Sequence, residues 1–299
     1  MQNVLLLIPD FALILLGLAL RRWFTALTDG FWSGLEQLMY YVLFPALIFS
    51  VLTRIQIDFG AMAPLLGVAL VALLAGMVLA LLAQPLFSLE PMAFASRFQC
   101  AFRYNTYIGI AVAGKLYGEP GIALMGVLCG VMVPLMNAAS VWMLLRHGKT
   151  ANFWRELLRN PLIVATAVGL AWNLLRLDVP FPVQEFLGRL SEATIAMGLL
   201  TVGAALKWRR PVRGLASELY FLGVKLLAVP FVAWWAGRWA GLQGIYFSTV
   251  VAFAALPPAS AAYILTVRMG GDGPGVAWLI SVGTLAAMGT LSLWISQLA

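Results

Sequence analysis

The sequence predicts an all-α membrane protein of ten transmembrane helices, laid out as two inverted five-helix repeats with helix breakers in spans four and nine. Three observations carry that expectation. Of the 299 residues, 62% are hydrophobic and 10% charged, and the mean hydropathy is +0.93; soluble domains hold about 25% charged residues. Ten segments are apolar over the length a bilayer demands. The chain also matches itself at a shift near 152 residues.

Crossing ~30 Å of hydrocarbon at about 1.5 Å per residue takes about 20 mostly apolar residues, since every backbone group has to be paired within the helix. The segments that qualify are 4–20, 31–53, 61–83, 97–117, 121–145, 161–177, 187–206, 215–238, 245–267 and 275–297. The first reads as a retained span and not a cleaved leader: no cation precedes it, Asp10 interrupts it and Arg21-Arg22 follow it. The connections are short, so residues 1–149 and 150–299 each hold five spans with no separate soluble domain.

Loops kept in the cytoplasm retain Lys and Arg. With the N-terminus outside, twelve cations fall on inner connections: Arg21, Arg22, Arg97, Arg146, Lys149, Arg155, Arg159, Lys207, Arg209, Arg210, Arg213 and Arg268. Four fall on outer ones, Arg54, Lys115, Arg176 and Arg238, and Arg103, Arg189 and Lys225 lie within spans. The net charge of +7 is therefore a topology signal, with both termini outside. No basic run interleaved with aromatics points to nucleic acid.

The residue inventory argues against an enzyme. Cys100 and Cys129 lie in apolar stretches, and the single histidine, His147, sits in a basic loop. Neither a disulfide framework nor a metal cluster has its ligands, and no HExxH or GxSxG pattern supplies a metal site or a nucleophile.

The self-match is built from short segments. Pro9 precedes Gly17-Leu18-Ala19 by the same eight residues that separate Pro161 from Gly169-Leu170-Ala171, a shift of 152. Phe44-Pro45-Ala46-Leu47 falls on Ala196-Met197-Gly198-Leu199 at that shift. Lys115 to Glu119 falls on Arg268 to Asp272 at 153, and Gly121-Ile122-Ala123 on Gly275-Val276-Ala277 at 154. Five spans per half is an odd number, so the second half enters from the opposite side, as in secondary transporters.

In such architectures substrate sits near the bilayer midplane, where broken helices expose backbone groups. Span nine carries Leu256-Pro257-Pro258-Ala259-Ser260, and consecutive prolines remove two donors and disfavour α geometry at Leu256. Shifted by 153, Pro258 lands on Asn105, within Arg103-Tyr104-Asn105-Thr106-Tyr107-Ile108-Gly109 of span four. A break at each place would leave N–H groups open at a half-helix N-terminus, suited to a carboxylate. The alternative readings are a packing kink at Pro257-Pro258 and an interhelical hydrogen bond from Asn105. Asn137, near Pro134 in span five, is a second mid-membrane amide, equally readable as helix-packing glue or as support for the site.

Charges inside spans are costly and functional by default. Arg103 is close to Asn105 but could snorkel to the cytoplasmic surface. Arg189 and Glu192 stand three apart on span seven, Glu218 and Lys225 seven apart on span eight, and ion pairing within each couple is the favoured reading. Proton coupling through Glu192, Glu218 or Asp10 is the other.

These residues resemble the auxin efflux carrier family, which holds malonate and malate permeases and the plant PIN proteins. The resemblance runs over the whole chain. It is carried by Phe44-Pro45-Ala46-Leu47-Ile48-Phe49, by Asn105-Thr106 through Gly109, by Tyr117-Gly118 with Gly121, and by Pro258-Ala259 through Tyr263-Ile264-Leu265 to Gly270-Gly271-Asp272. It implies a fold of the bile-acid-symporter and NhaA type, with spans 1, 2, 6 and 7 as scaffold, spans 3–5 and 8–10 as transport domain, and broken helices 4 and 9 crossed. It further implies transport of small organic anions, often as a dimer. Asn105 and Pro258 would carry the crossover, flanked by Tyr104, Thr106, Gly109, Pro257 and Ser260, with Pro45 on the scaffold opposite. Where the family often has a proline soon after the Asn, this chain has Ile110-Ala111, which leaves the break in span four to Gly109. The plant members' long cytoplasmic loop does not occur between these spans, which suggests a bacterial inner-membrane protein.

The expectation is thus an elevator-type secondary carrier of mono- or dicarboxylates, with no cofactor beyond a coupling proton or sodium ion. A sodium-coupled symporter of the bile-acid type and a membrane ligand sensor are the alternatives.

Overall fold

The computed structural model describes residues 2–54, 59–146, 161–206 and 215–298, and among them all regular structure is helical. The connections 147–160 and 207–214, with His147 and seven of the twelve inner cations, lie outside the described residues, as does the side chain of Arg268.

Helix α1 (Gln2–Trp23) is followed by α2 (Asp29–Leu38) and α3 (Phe44–Arg54), which are joined through a π-turn at Met39–Leu43. That wide turn sits directly ahead of Pro45. A proline ring collides with the carbonyl four residues back and donates no hydrogen bond to it, and an extra residue per turn relieves both problems. Helix α4 (Phe59–Phe87) is apolar on every side. Next come α5 (Pro91–Phe98) and α6 (Thr106–Leu145), the latter folded back on itself at Gly118 with φ 62 and ψ -148, a conformation open to glycine alone. At Gly121 any side chain would strike the Ala113 carbonyl, so the two limbs of α6 pack backbone to backbone.

In the second half, α7 (Pro161–Leu174) and α8 (Phe181–Ala204) precede α9 (Leu215–Gly223). A second π-turn, Val224–Ala228, leads into α10 (Val229–Trp239) just ahead of Pro230. Helices α11 (Gly244–Ala255), α12 (Ala261–Arg268) and α13 (Gly273–Ser296) complete the chain.

Among the described residues, five stretches are long and apolar enough to cross a membrane: Asp29–Arg54, Met62–Phe87, Pro91–Leu145, Leu215–Trp239 and Gly273–Ser296. Their outward residues fit a lipid surround, with Leu74, Leu81, Phe231 and Trp235 all exposed. Lipid tails are as apolar as leucine, so helices associate through close packing and small residues. Helices α1 and α8 show this: a side chain at Gly17 would meet the Leu200 carbonyl, and one at Gly203 the Ile14 carbonyl.

Candidate functional site

Two interruptions of helix meet inside the protein. Beyond α5 the chain makes a 3-10 turn at Gln99–Ala101 and leaves helical geometry until Thr106. Beyond α11 it is extended at Leu256 (φ -60, ψ 147), as expected of a residue before proline, and α12 resumes at Ala261.

Asn105 joins the two. Its backbone N–H donates to the Pro257 carbonyl at 2.9 Å, and its Nδ2 donates to Ser260 Oγ at 3.1 Å. Its Oδ1 accepts from the N–H groups of Tyr107 at 3.0 Å and Ile108 at 3.3 Å, which makes it the N-cap of α6. The expectation of an open half-helix N-terminus is corrected here: two of its donors are taken by Asn105 itself, the nearest acceptor. One Nδ2 hydrogen has no protein acceptor among the described residues.

Around this junction Pro257 and Pro258 are buried, while Thr106 and Ser260 are half-buried. Tyr104 is buried with its ring 4.1 Å from that of Phe253. Gly109 does not make the break, contrary to the sequence expectation. It lies within α6, where a Cβ would come 2.7 Å from Leu256 Cδ1, so its role is to let α6 pass close to the other break. Pro45 lines an apolar groove with Phe49, Pro161, Val164 and Leu187, and it is the neighbouring Phe44 that reaches the α6 side, stacked on Tyr107 at 4.4 Å. Asn137 is half-buried on the second limb of α6.

The charged residues pair differently from the sequence expectation. Exposed Arg189 bonds Glu185 at 3.2 Å, one turn back, and Glu192 is exposed. Glu218, fully buried, faces Arg97 at 3.5 Å and not Lys225, because the 3-10 turn that follows α5 packs against α9. Arg97 also bonds Asp272 at 2.9 Å, so one guanidinium serves two carboxylates. Asp272 in turn accepts from Gly275 N and caps α13. Arg103 does not snorkel. It is buried and donates to Gln99 Oε1 at 2.8 Å, and Gln99 Nε2 donates to Thr266 Oγ1 at 2.9 Å. Lys225 is 1% exposed, and its Nζ donates to the Ala254 carbonyl at 2.7 Å.

Sequence reasoning missed Arg97, counted as a loop cation, together with Asp272, Gln99 and Thr266. The signal available was the pattern Asp272-Gly273-Pro274, an N-cap followed by a first-turn proline.

Comparison with known proteins bears on what this arrangement serves. The family model described as "Membrane transport protein" matches residues 148–295. An "Uncharacterized transporter" of Methanothermobacter thermautotrophicus is 24% identical over 88% of this chain and 87% of its own length. Residues 148–295 carry the membrane-transport domain of the auxin efflux carrier family. "Auxin efflux carrier component 7" of Arabidopsis thaliana is 31% identical over 35% of the chain, and the match spans 18% of that longer protein. A "Putative malonate transporter" of Rhizobium meliloti is 26% identical over 46% of the chain and 43% of its own. The transporter is a multi-pass membrane protein, and the match to the archaeal relative extends over both of its halves.

Proposed function

We propose that this transporter is a secondary carrier of small organic anions, mono- or dicarboxylates, that works by an elevator-like shift of a bundle built around the crossed breaks. The observation that carries the reading is Asn105, bonded to Pro257 through its backbone and to Ser260 through its side chain. It leaves an amide hydrogen at the meeting point of two interrupted helices, where an anion gains from helix N-termini without a buried countercharge. Thr106, Ser260 and the backbone at Pro257-Pro258 complete the groups assigned to substrate.

The ten-span inverted repeat belongs to this proposal, and the positions of the turns support it. Helices α5 and α11 begin at Pro91 and Gly244, 153 residues apart, and the breaks end at Thr106 and Ala261, 155 apart. Left-handed backbone recurs at matching places: Ser88 and Gly241 stand 153 apart, Gly118 and Gly270 152 apart. A bacterial inner-membrane location, periplasmic termini and a homodimer are further parts of the same reading. Relatives named for auxin efflux and malonate point the substrate toward carboxylates.

The test is uptake of labelled malonate, malate, succinate, lactate and indole-3-acetate into proteoliposomes, beside Asn105→Ala. Uptake of one acid that is lost in a variant still folded by size-exclusion chromatography supports the reading. No uptake of any acid by folded wild type refutes it.

A further inference from the structure

The groove beside Pro45 takes no part in the junction of the two breaks. It is a cavity of about 540 Å³ on the face formed by α3, α7 and α8, and its lining is apolar throughout. Short side chains open it, Pro45 and Ala46 on α3 and Ala165 on α7, while Phe49, Val168 and Leu187 form its walls. Two contacts keep it from collapsing. A Cβ at Gly169 would come 3.0 Å from Leu52 Cβ, and Asn173 Nδ2 donates to the Leu52 carbonyl at 2.7 Å, so α7 is locked to α3 beside the groove. Val168 is 46% exposed, which leaves the groove open to the hydrocarbon around the helices.

A second cavity, of about 300 Å³, lies one turn farther along the same two helices, at Thr53 and Arg54 on α3 and Gln184 on α8. Four residues separate Phe49 from Thr53 and three separate Leu187 from Gln184, a rise of about 5 Å on each helix. This pocket is polar, and the connection after α7 adds Asp178 to it. Arg54 is held in place: its Nη2 donates to the Gln184 carbonyl at 3.1 Å, and its Nη1 stands 3.5 Å from Glu119 Oε1. Asp178 is exposed and has no cation within ion-pair distance among the described residues. The pocket therefore holds a cation and an anion that are not paired with each other. It sits where the apolar stretch Asp29–Arg54 ends, the depth of lipid headgroups.

An occupant has to match both parts. A water-soluble solute has no use for the groove, and a bare hydrocarbon chain leaves the charges unanswered. A phospholipid has both an apolar tail and a charged head, and the charges choose the head. Its phosphate suits the Arg54 guanidinium. Asp178 and Glu119 together outnumber that cation, which disfavours a headgroup of net negative charge and favours one that ends in a cation. An ammonium with N–H groups can donate to Asp178, whereas a quaternary choline cannot.

We propose that groove and pocket form one binding site for a phospholipid with a primary-amine headgroup, its acyl chain lying along α3 and α7, its phosphate at Arg54 and its ammonium at Asp178. The site is independent of which solute the carrier moves. Pro45 serves it by keeping the groove open.

The test is native mass spectrometry of the purified, delipidated protein, offered phosphatidylethanolamine, phosphatidylcholine and phosphatidylglycerol of identical acyl chains. Wild type should retain one phosphatidylethanolamine about fivefold more tightly than either other lipid, the worth of a modest charge-assisted hydrogen bond. Asp178→Asn, at an exposed position, should erase the preference over phosphatidylcholine. Val168→Trp, which fills the groove from its open side, should lose the retained lipid whatever its headgroup. Equal retention of the three lipids by wild type, or a preference for phosphatidylglycerol, overturns the proposal. So does a phosphatidylethanolamine preference that survives either variant, and so does a dimer that excludes lipid, which would put a second copy of the chain on this face.

Discussion

Asn105 and Ser260, 155 residues apart in sequence, are bonded side chain to side chain at 3.1 Å. Each begins a helix, Asn105 as the cap of α6 and Ser260 as the residue before α12, so the bond ties two helix starts to one another. A displacement of either start would be felt by both breaks.

Asn105→Asp separates the cap from the tie. An Asp accepts from Tyr107 and Ile108 as the Asn does, but it cannot donate to Ser260, and it places a negative charge where an anion is proposed to bind. Asn105 is buried, so an unmatched carboxylate there should also lower stability, by about 3–5 kcal/mol. Uptake of any carboxylate should vanish. A variant that still transports would remove Asn105 from the substrate site.

Arg97 makes the most consequential ion pairs in the described protein. Arg97→Met leaves Glu218 buried and unmatched, a class of change that costs about 3–5 kcal/mol. Arg97→Met with Glu218→Gln should recover a large part of that loss, because the stranded charge is gone, and a double-mutant cycle of melting or denaturant midpoints measures the coupling. Arg189→Ala, which breaks an exposed pair, should shift stability by about 0.5 kcal/mol or less.

Glycines offer a contrast that needs no functional assay. A side chain at Gly203 would collide with the Ile14 carbonyl, whereas nothing lies within 4 Å of a Cβ built at Gly223. Gly203→Ala should force α1 and α8 apart, with overpacking of this kind costing about 1–3 kcal/mol or more. Gly223→Ala should raise stability by about 0.5–1 kcal/mol through the lower backbone entropy of alanine. Equal melting shifts for the two would contradict the close packing of α1 on α8.

At Gly118 the backbone angles of φ 62 and ψ -148 suit glycine alone. Gly118→Ala should destabilise by about 1–3 kcal/mol, the strain expected of a residue held in such a region. Gly270, with φ 72, should tolerate Asn better than Gly118 does. Both are read from melting curves, and a Gly118→Ala protein as stable as wild type would place the turn elsewhere.

Much of the fold was legible because it follows from composition and period. Apolar runs of spanning length announce the helices, and Leu256-Pro257-Pro258 announces a break that the structure puts at that place. Asn105 was legible by the repeat shift, which carries Pro258 onto it. The partners of charged residues were not legible. Spacing along one helix favoured Arg189 with Glu192 and Glu218 with Lys225, yet Glu218 meets Arg97 across 121 residues of chain because the 3-10 turn after α5 packs on α9. Gly109 looked like a breaker for the same reason: a glycine that admits a neighbouring helix and one that ends its own helix read alike in sequence. The satisfied N-terminus at α6 needed the orientation of one carboxamide, which no pattern of residue types supplies.

The π-turns before Pro45 and Pro230 have a further effect on how the helices face their surroundings. One extra residue in a turn advances the helix by about 100°. Side chains before and after each turn therefore point to directions that a regular helical wheel would misassign. Removing a single residue from Val224–Ala228 would rewind that segment to an ordinary helix and swing Phe231, Trp235 and Trp239 around its axis. Part of the aromatic surface now offered to lipid would then face the packed interior, and with it the rotational setting of the whole helix in the membrane would change.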